Sequence, residues 1–229
     1  MHRLMPSVDN FSLINKLIIK FRQIFFSDSV TWWEQRYLMG GNSGQGSYGV
    51  LAEFKAEIVN QFVGEFKVKS LVEFGCGDGS QLTLASYPSY VGLDVSQKAV
   101  TMCKEKFIND QSKKFFLYDP YSFDCEAEKL KAELALSLDV IYHLVEDHIY
   151  STYLTHLFGT GVKYVIIYAT DKNKSGRFYE RHVRHRNFTK DIAIRFPSWK
   201  LIKKVKNKYP TGEGMAEASP ADFFIYEAG

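Results

Sequence analysis

The run Leu71-Val72-Glu73-Phe74-Gly75-Cys76-Gly77-Asp78-Gly79-Ser80 restricts this chain more than any other stretch. Ser70 to Phe74 has the length and apolar character of a buried strand. Three alternate glycines follow at once, and a helix-compatible segment, Ser80 to Ser86, comes next. Strand, glycine turn and helix in that order suit a nucleotide-like ligand. The glycines let the backbone turn sharply and approach the ligand, and a helix start offers free N–H groups. Tyr90 to Asp94 reads as a second short strand ending in an acid. Asp94 lies roughly 20 residues beyond the glycines, the distance at which a second strand delivers a carboxylate to a ribose hydroxyl pair.

The glycine spacing separates two ligand classes. A dinucleotide fingerprint is G-x-G-x-x-G; here the third glycine is Gly79, which gives G-x-G-x-G and leaves Ser80 at the dinucleotide position. Glu73, two residues before the first glycine, would repel a pyrophosphate and welcome a sulfonium or ammonium group. E-x-G-x-G-x-G followed by Asp94 resembles the class I S-adenosylmethionine-dependent methyltransferases. The stretch around Gly44 to Tyr48 is similar to motifs of small methyltransferases of bacterial surface-polysaccharide biosynthesis.

From Ser70 onward strands alternate with helical segments, the pattern of an α/β, doubly wound parallel sheet covered on both faces. The expected strands are Ser70–Phe74, Tyr90–Asp94, Lys114–Tyr118, Leu134–Leu138, Tyr164–Tyr168, Trp199–Val205 and Phe223–Tyr226. Ser96 is placed to cap a helix from Gln97 to Phe107. The resemblance implies a Rossmann-like seven-stranded sheet whose last two strands form a hairpin, so that one strand is antiparallel. Residues 1–66 are expected to form an N-terminal helical arm, a Gly/Ser-rich lid and a covering helix; residues 67–229 form the core, in one structural domain.

At 229 residues, 45% apolar and 15% aromatic, the chain has the material for a full core rather than for disorder. A net charge of +3 does not predict a nucleic-acid partner. Cys76, Cys103 and Cys125 have no paired spacing, which suits reduced thiols in a cytoplasmic protein. No apolar run approaches the ~20 residues of a membrane span. Phe11 to Phe26 carries apolar residues at mainly helical spacing with Lys16, Lys20 and Arg22 between them. It lacks the unbroken apolar stretch and small-residue cleavage site of a secretory signal. Such a basic amphipathic segment suits packing on protein, its own domain or a partner, or contact with an anionic inner-membrane surface.

Glu73, Asp94, Asp119 and Asp139 fall at strand ends, where ligands bind in open α/β sheets. Together they would repel one another unless something cationic or hydrogen-bonding sits among them. The resemblance implies S-adenosyl-L-methionine as cofactor. Gly75, Cys76, Gly77 and Gly79 would shape the methionine pocket with Glu73 near the amino group. Asp94, followed by Val95, would accept the ribose hydroxyls, and Asp119, or Asp124 in the same loop, would face the adenine amino group. Arg36 would meet the methionine carboxylate, or else pair with Glu34. Gly40 to Gly49, too glycine-rich for regular structure, would be a lid with Ser47 and Tyr48 at its edge, or a plain linker.

His143, just after the fourth strand, is the candidate general base for an acceptor hydroxyl, because an imidazole titrates near working pH. If a helical turn follows the strand, Asp139 shares its face and orients the ring; the plainer role of His143 is a helix cap. Tyr142 and the cluster His182, Arg184, His185 and Arg186 are candidate acceptor contacts. Arginine forks suit an acidic glycan or a phosphorylated compound, and a solvated loop is the alternative. No spacing marks a metal site. The expected activity is transfer of a methyl group to a hydroxyl acceptor, with a carbohydrate in view; the rivals are a small or phosphorylated metabolite as acceptor and a non-catalytic assembly subunit.

Overall fold

The computed structural model describes residues 26–126, 130–173, 181–211 and 217–229. The amphipathic segment expected from Phe11 lies outside them, Phe26 excepted. Helix α1 (Ser29–Leu38) starts where the Asp28 carboxylate accepts the Thr31 N–H, and α2 (Gly49–Glu65) follows the glycine-rich loop. The core strands are β1 (Leu71–Phe74), β2 (Tyr90–Asp94), β3 (Lys113–Leu117), β4 (Ala132–Leu138) and β5 (Gly161–Ala169). Helix α3 (Gln97–Lys106) lies between β2 and β3, capped by the Ser96 hydroxyl as expected. Helix α4 (Asp147–Thr160) joins β4 to β5, α5 (Phe188–Arg195) follows β5, and β6 (Trp199–Val205) and β7 (Asp222–Ala228) close the chain.

Among the described residues the seven strands form one sheet in the order β3-β2-β1-β4-β5-β7-β6. β7 runs antiparallel between β5 and β6, and the other described pairings are parallel. Strand alternation divides the core between the two faces. Val72 and Phe74 pack with Ile149, Leu154 and Leu157 of α4 and Phe188 of α5. Leu71 packs with Phe54, Val59 and Phe62 of α2 and with Val100 of α3. Each such buried side chain contributes about 1.5–3 kcal/mol before chain entropy is charged against it. The helices therefore sit where apolar stripes demand, and the carboxyl ends of β1, β2 and β4 are left facing one crevice.

Two local expectations fail. The segment after the glycines is a single 3-10 turn, Gln81–Leu84, and not a helix from Ser80 to Ser86. Pro88 restricts Tyr87 to extended backbone, so the chain has no length in which to build further turns. The Gly40–Gly49 loop is not wholly irregular either: Gln45–Ser47 makes a 3-10 turn between left-handed Gly44 and extended Tyr48.

Candidate functional site

Glycine conformation builds the crevice first. Gly77 takes the left-handed region, φ +59°, which turns its N–H onto the Asp94 carboxylate at 2.9 Å. The other Asp94 oxygen accepts Ser96 N–H at 2.9 Å. Gly79 answers a packing need: a Cβ there would stand 2.9 Å from Cε2 of Phe107 and 3.0 Å from Sγ of Cys103 on the α3 side. The first two glycines and Cys76 line the crevice with Glu73, Asp94 and Val95, whereas Gly79 supports the turn from behind. The crevice encloses about 850 Å³ of empty space, its open mouth included.

Three of the four expected carboxylates meet there: Glu73, Asp94 and Asp139. Burial pushes the Glu73 carboxyl up to about 7, against a hydrogen bond from Tyr90 and the pull of Lys55; Tyr90 Oη donates to it at 2.6 Å. Burial likewise raises Asp94 to about 6, opposed by the N–H groups of Ser96 and Gly77. Asp119 stands apart. It is exposed, and its oxygens accept Tyr121 N–H at 2.9 Å and Ser122 Oγ–H at 2.8 Å, while its neighbours Tyr118 and Pro120 line the crevice.

The cation among the acids is Lys55, which the sequence reading passed over. Lys55 is 1% exposed and donates to Asp139 Oδ2 at 2.6 Å. Its signal was a lysine in register with the apolar stripe of α2, at helical spacing from Leu51, Ile58 and Phe62. Gln81 was also missed. Its amide donates to the Ala52 carbonyl at 2.9 Å, and its buried carbonyl oxygen, on the crevice wall, has no hydrogen-bond partner.

The expected Asp139–His143 couple is not formed. Asp139 adopts φ +62° and the chain enters a 3-10 turn, Ile141–His143, so α-helical spacing does not bring the two onto one face. Asp139 Oδ1 instead accepts the Tyr142 hydroxyl at 2.7 Å. His143 lines the crevice, and its Nδ1 is 3.2 Å from the His182 carbonyl. A carbonyl can only accept, so Nδ1 carries the proton and Nε2 is the basic nitrogen. Burial, with the neighbouring His182, lowers the imidazole to about 4. The Trp33 ring meets it edge-on at 5.0 Å, and His182 stacks between His143 at 5.4 Å and Trp32 at 4.0 Å.

The remaining expected contacts lie outside the lining. Arg36 Nε donates to the Asn42 carbonyl at 2.6 Å, and Glu34, its alternative partner, instead accepts from Ser96 Oγ at 2.5 Å. Tyr48 donates to Asp78 at 2.7 Å. Arg184 reaches the Val145 carbonyl and Asp147, each at 2.9 Å. Buried Arg186 donates to the Leu144 carbonyl, and to Val145 O and Asp147 at 3.0 Å. His185 Nδ1 bonds the Thr170 hydroxyl. These two arginines therefore fasten the start of α4 instead of presenting a fork to the crevice. Among the described residues no cluster of His, Cys, Asp or Glu is placed to hold a metal ion, and no helix is long and apolar enough to cross a membrane.

No family model matches the chain, and no curated protein matches it. Solved structures do. The magnesium protoporphyrin IX methyltransferase of Synechocystis PCC 6803, with bound S-adenosylmethionine, aligns at TM-score 0.61 and 15% identity over 90% of this chain and 99% of that one. The methyltransferase domain of a bacterial Hen1 aligns at TM-score 0.59 and 17% identity, over 76% of this chain and 97% of that one. The N-methyltransferase NodS of Bradyrhizobium japonicum WM9, in complex with S-adenosylhomocysteine, aligns at TM-score 0.59 and 14% identity over 78% and 87%. None of these three is a polysaccharide enzyme by name, so the narrower likeness gains nothing from them. At such identities the likeness is one of architecture: this chain has the class I S-adenosylmethionine-dependent methyltransferase fold.

Proposed function

We propose that the protein is an S-adenosylmethionine-dependent methyltransferase acting on an uncharged, hydroxyl-bearing acceptor, with a carbohydrate as the leading class. The observation that carries this reading is the pairing of two buried carboxyls, Glu73 and Asp94, across one glycine turn at the carboxyl ends of β1 and β2. The residues fit a nucleoside-type ligand with an ammonium group. Glu73 at about 7 is poised to ionise beside a cation. Asp94 supplies the acceptor pair for a ribose, and the orphaned Gln81 oxygen awaits a donor. A pyrophosphate would meet these same oxygens and be repelled.

The bound cofactor supplies an activated methyl group. The chain's own residues then align, desolvate and move a proton. Tyr118, Tyr153, Ile149 and Leu144 give the crevice apolar walls, and Trp33 adds an indole to the lining. His143, held neutral with Nε2 basic, takes the hydroxyl proton as the oxygen becomes acidic during transfer. An anionic acceptor is disfavoured: Lys55 is already paired with Asp139, and Arg184 and Arg186 are occupied at α4.

Replacing His143 with Ala tests the chemistry. Turnover on a panel of neutral glycosides and their phosphorylated counterparts is expected to fall by about 100-fold or more, with S-adenosylhomocysteine binding retained. Undiminished turnover removes His143 as base. Cofactor binding with no methylation of anything on the panel favours the assembly-subunit reading instead.

A further inference from the structure

Asp78 is the one acid of the glycine turn that no ligand role explains. It is 2% exposed and does not line the crevice. One of its oxygens has an ordinary local task, accepting Ser80 N–H at 2.9 Å. The other reaches a distant part of the chain. Oδ2 accepts Ser43 N–H at 3.0 Å and the Tyr48 hydroxyl at 2.7 Å. The Asp78 N–H donates back to Ser43 Oγ at 2.9 Å, and that hydroxyl is also 2.9 Å from Tyr37 Oη.

These bonds fasten the loop that roofs the crevice. Ser43 and Ser47 belong to its lining, and Gly46 sits so close to Asp139 that a Cβ would come within 2.6 Å of Oδ2. Left-handed glycines stand at both ends of the loop, Gly40 at φ +77° and Gly49 at φ +55°. At these positions the backbone reaches conformations closed to other residues. The roof's links to the glycine turn run mainly through Asp78, by its carboxylate and its own N–H, and glycines bound the roof at both ends, which is the construction of a gate.

We propose that Asp78 is a positioning residue that latches residues 40–49 over the crevice, and that ligand entry and release require this latch to open. The proposal rests on the crevice being the cofactor site argued above. Asp78→Ala removes the oxygen that accepts both Ser43 N–H and the Tyr48 hydroxyl, so neither bond survives. Hydrogen–deuterium exchange of the ligand-free protein is expected to show amides of residues 42–49 exchanging about tenfold faster or more, with β1 and β4 unchanged. Stopped-flow binding of S-adenosylhomocysteine is expected to show faster association and, by a larger factor, faster dissociation. Tyr48→Phe removes one exposed hydroxyl and tests the same latch if the first variant folds poorly; its shifts run in the same direction and are smaller.

Exchange in residues 42–49 that is unchanged in both variants overturns the latch, as does faster exchange with unchanged dissociation. Wild-type protein that binds no S-adenosylhomocysteine, yet shows the exchange difference, keeps the latch and removes the ligand assignment.

Discussion

The crevice has two walls of different construction. One is local: Glu73, Gly75, Cys76, Gly77 and Asp94 come from β1, its following turn and β2. The other is assembled from separate segments: Trp33 of α1, Lys55 of α2, and Asp139 and His143 after β4. The first wall holds carboxyls raised by burial, bonded to N–H groups and a tyrosine and open to a cation. The second holds an acid already neutralised by Lys55 and a base already deprived of its proton. The local wall is therefore built to bind positive charge, and the assembled wall to receive a neutral group and remove a proton from it.

Substitutions on the two walls are expected to part accordingly. Asp94→Leu removes the acceptor of two backbone N–H groups as well as the proposed ribose contact, and should weaken S-adenosylhomocysteine binding by about 100-fold or more by calorimetry. Lys55→Met should leave cofactor affinity nearly intact but strand Asp139 without its cation, at a cost of about 3–5 kcal/mol in urea unfolding. Adding Asp139→Asn should recover most of that loss, and a double variant no more stable than the single would deny the coupling.

Glu73 gives a pH test of the first wall. Its carboxyl is raised from 4.5 to about 7. The folded protein thus keeps a proton that the unfolded chain has lost, and this group's contribution to stability is full below 4.5 and lost as pH rises through about 7. An ammonium-bearing ligand favours the ionised form, so S-adenosylhomocysteine affinity should climb across roughly pH 6 to 8. Glu73→Gln should flatten that climb. The second wall should show no matching inflection: with His143 at about 4, turnover should lack a histidine step near its ordinary value. The smallest effect is expected at Arg184→Ala, which loses an exposed pair with Asp147 and should cost less than about 1 kcal/mol with binding unchanged.

The same division explains what could be read from residues alone. β1, its turn, β2 and the Ser96 cap were legible because each is fixed by neighbours in the chain. Glycine spacing, apolar runs and a serine before a helical pattern are local signals. Lys55 was not legible as a site residue, since only folding brings α2 over β4. The Asp139–His143 pairing failed for a related reason: Asp139 takes a left-handed backbone and a 3-10 turn follows, so α-helical spacing does not apply. Arg184 and Arg186 had the composition of a recognition loop but end as clamps on α4, a distinction that lies wholly in which carbonyls they meet.

Titration of S-adenosylhomocysteine into the purified chain, with NAD as the parallel titrant, addresses the central claim most directly. One saturable site for the homocysteine compound and no heat from the dinucleotide is the expected result. Silence from the former, or tighter binding of the latter, would contradict a crevice shaped around a positively charged nucleoside.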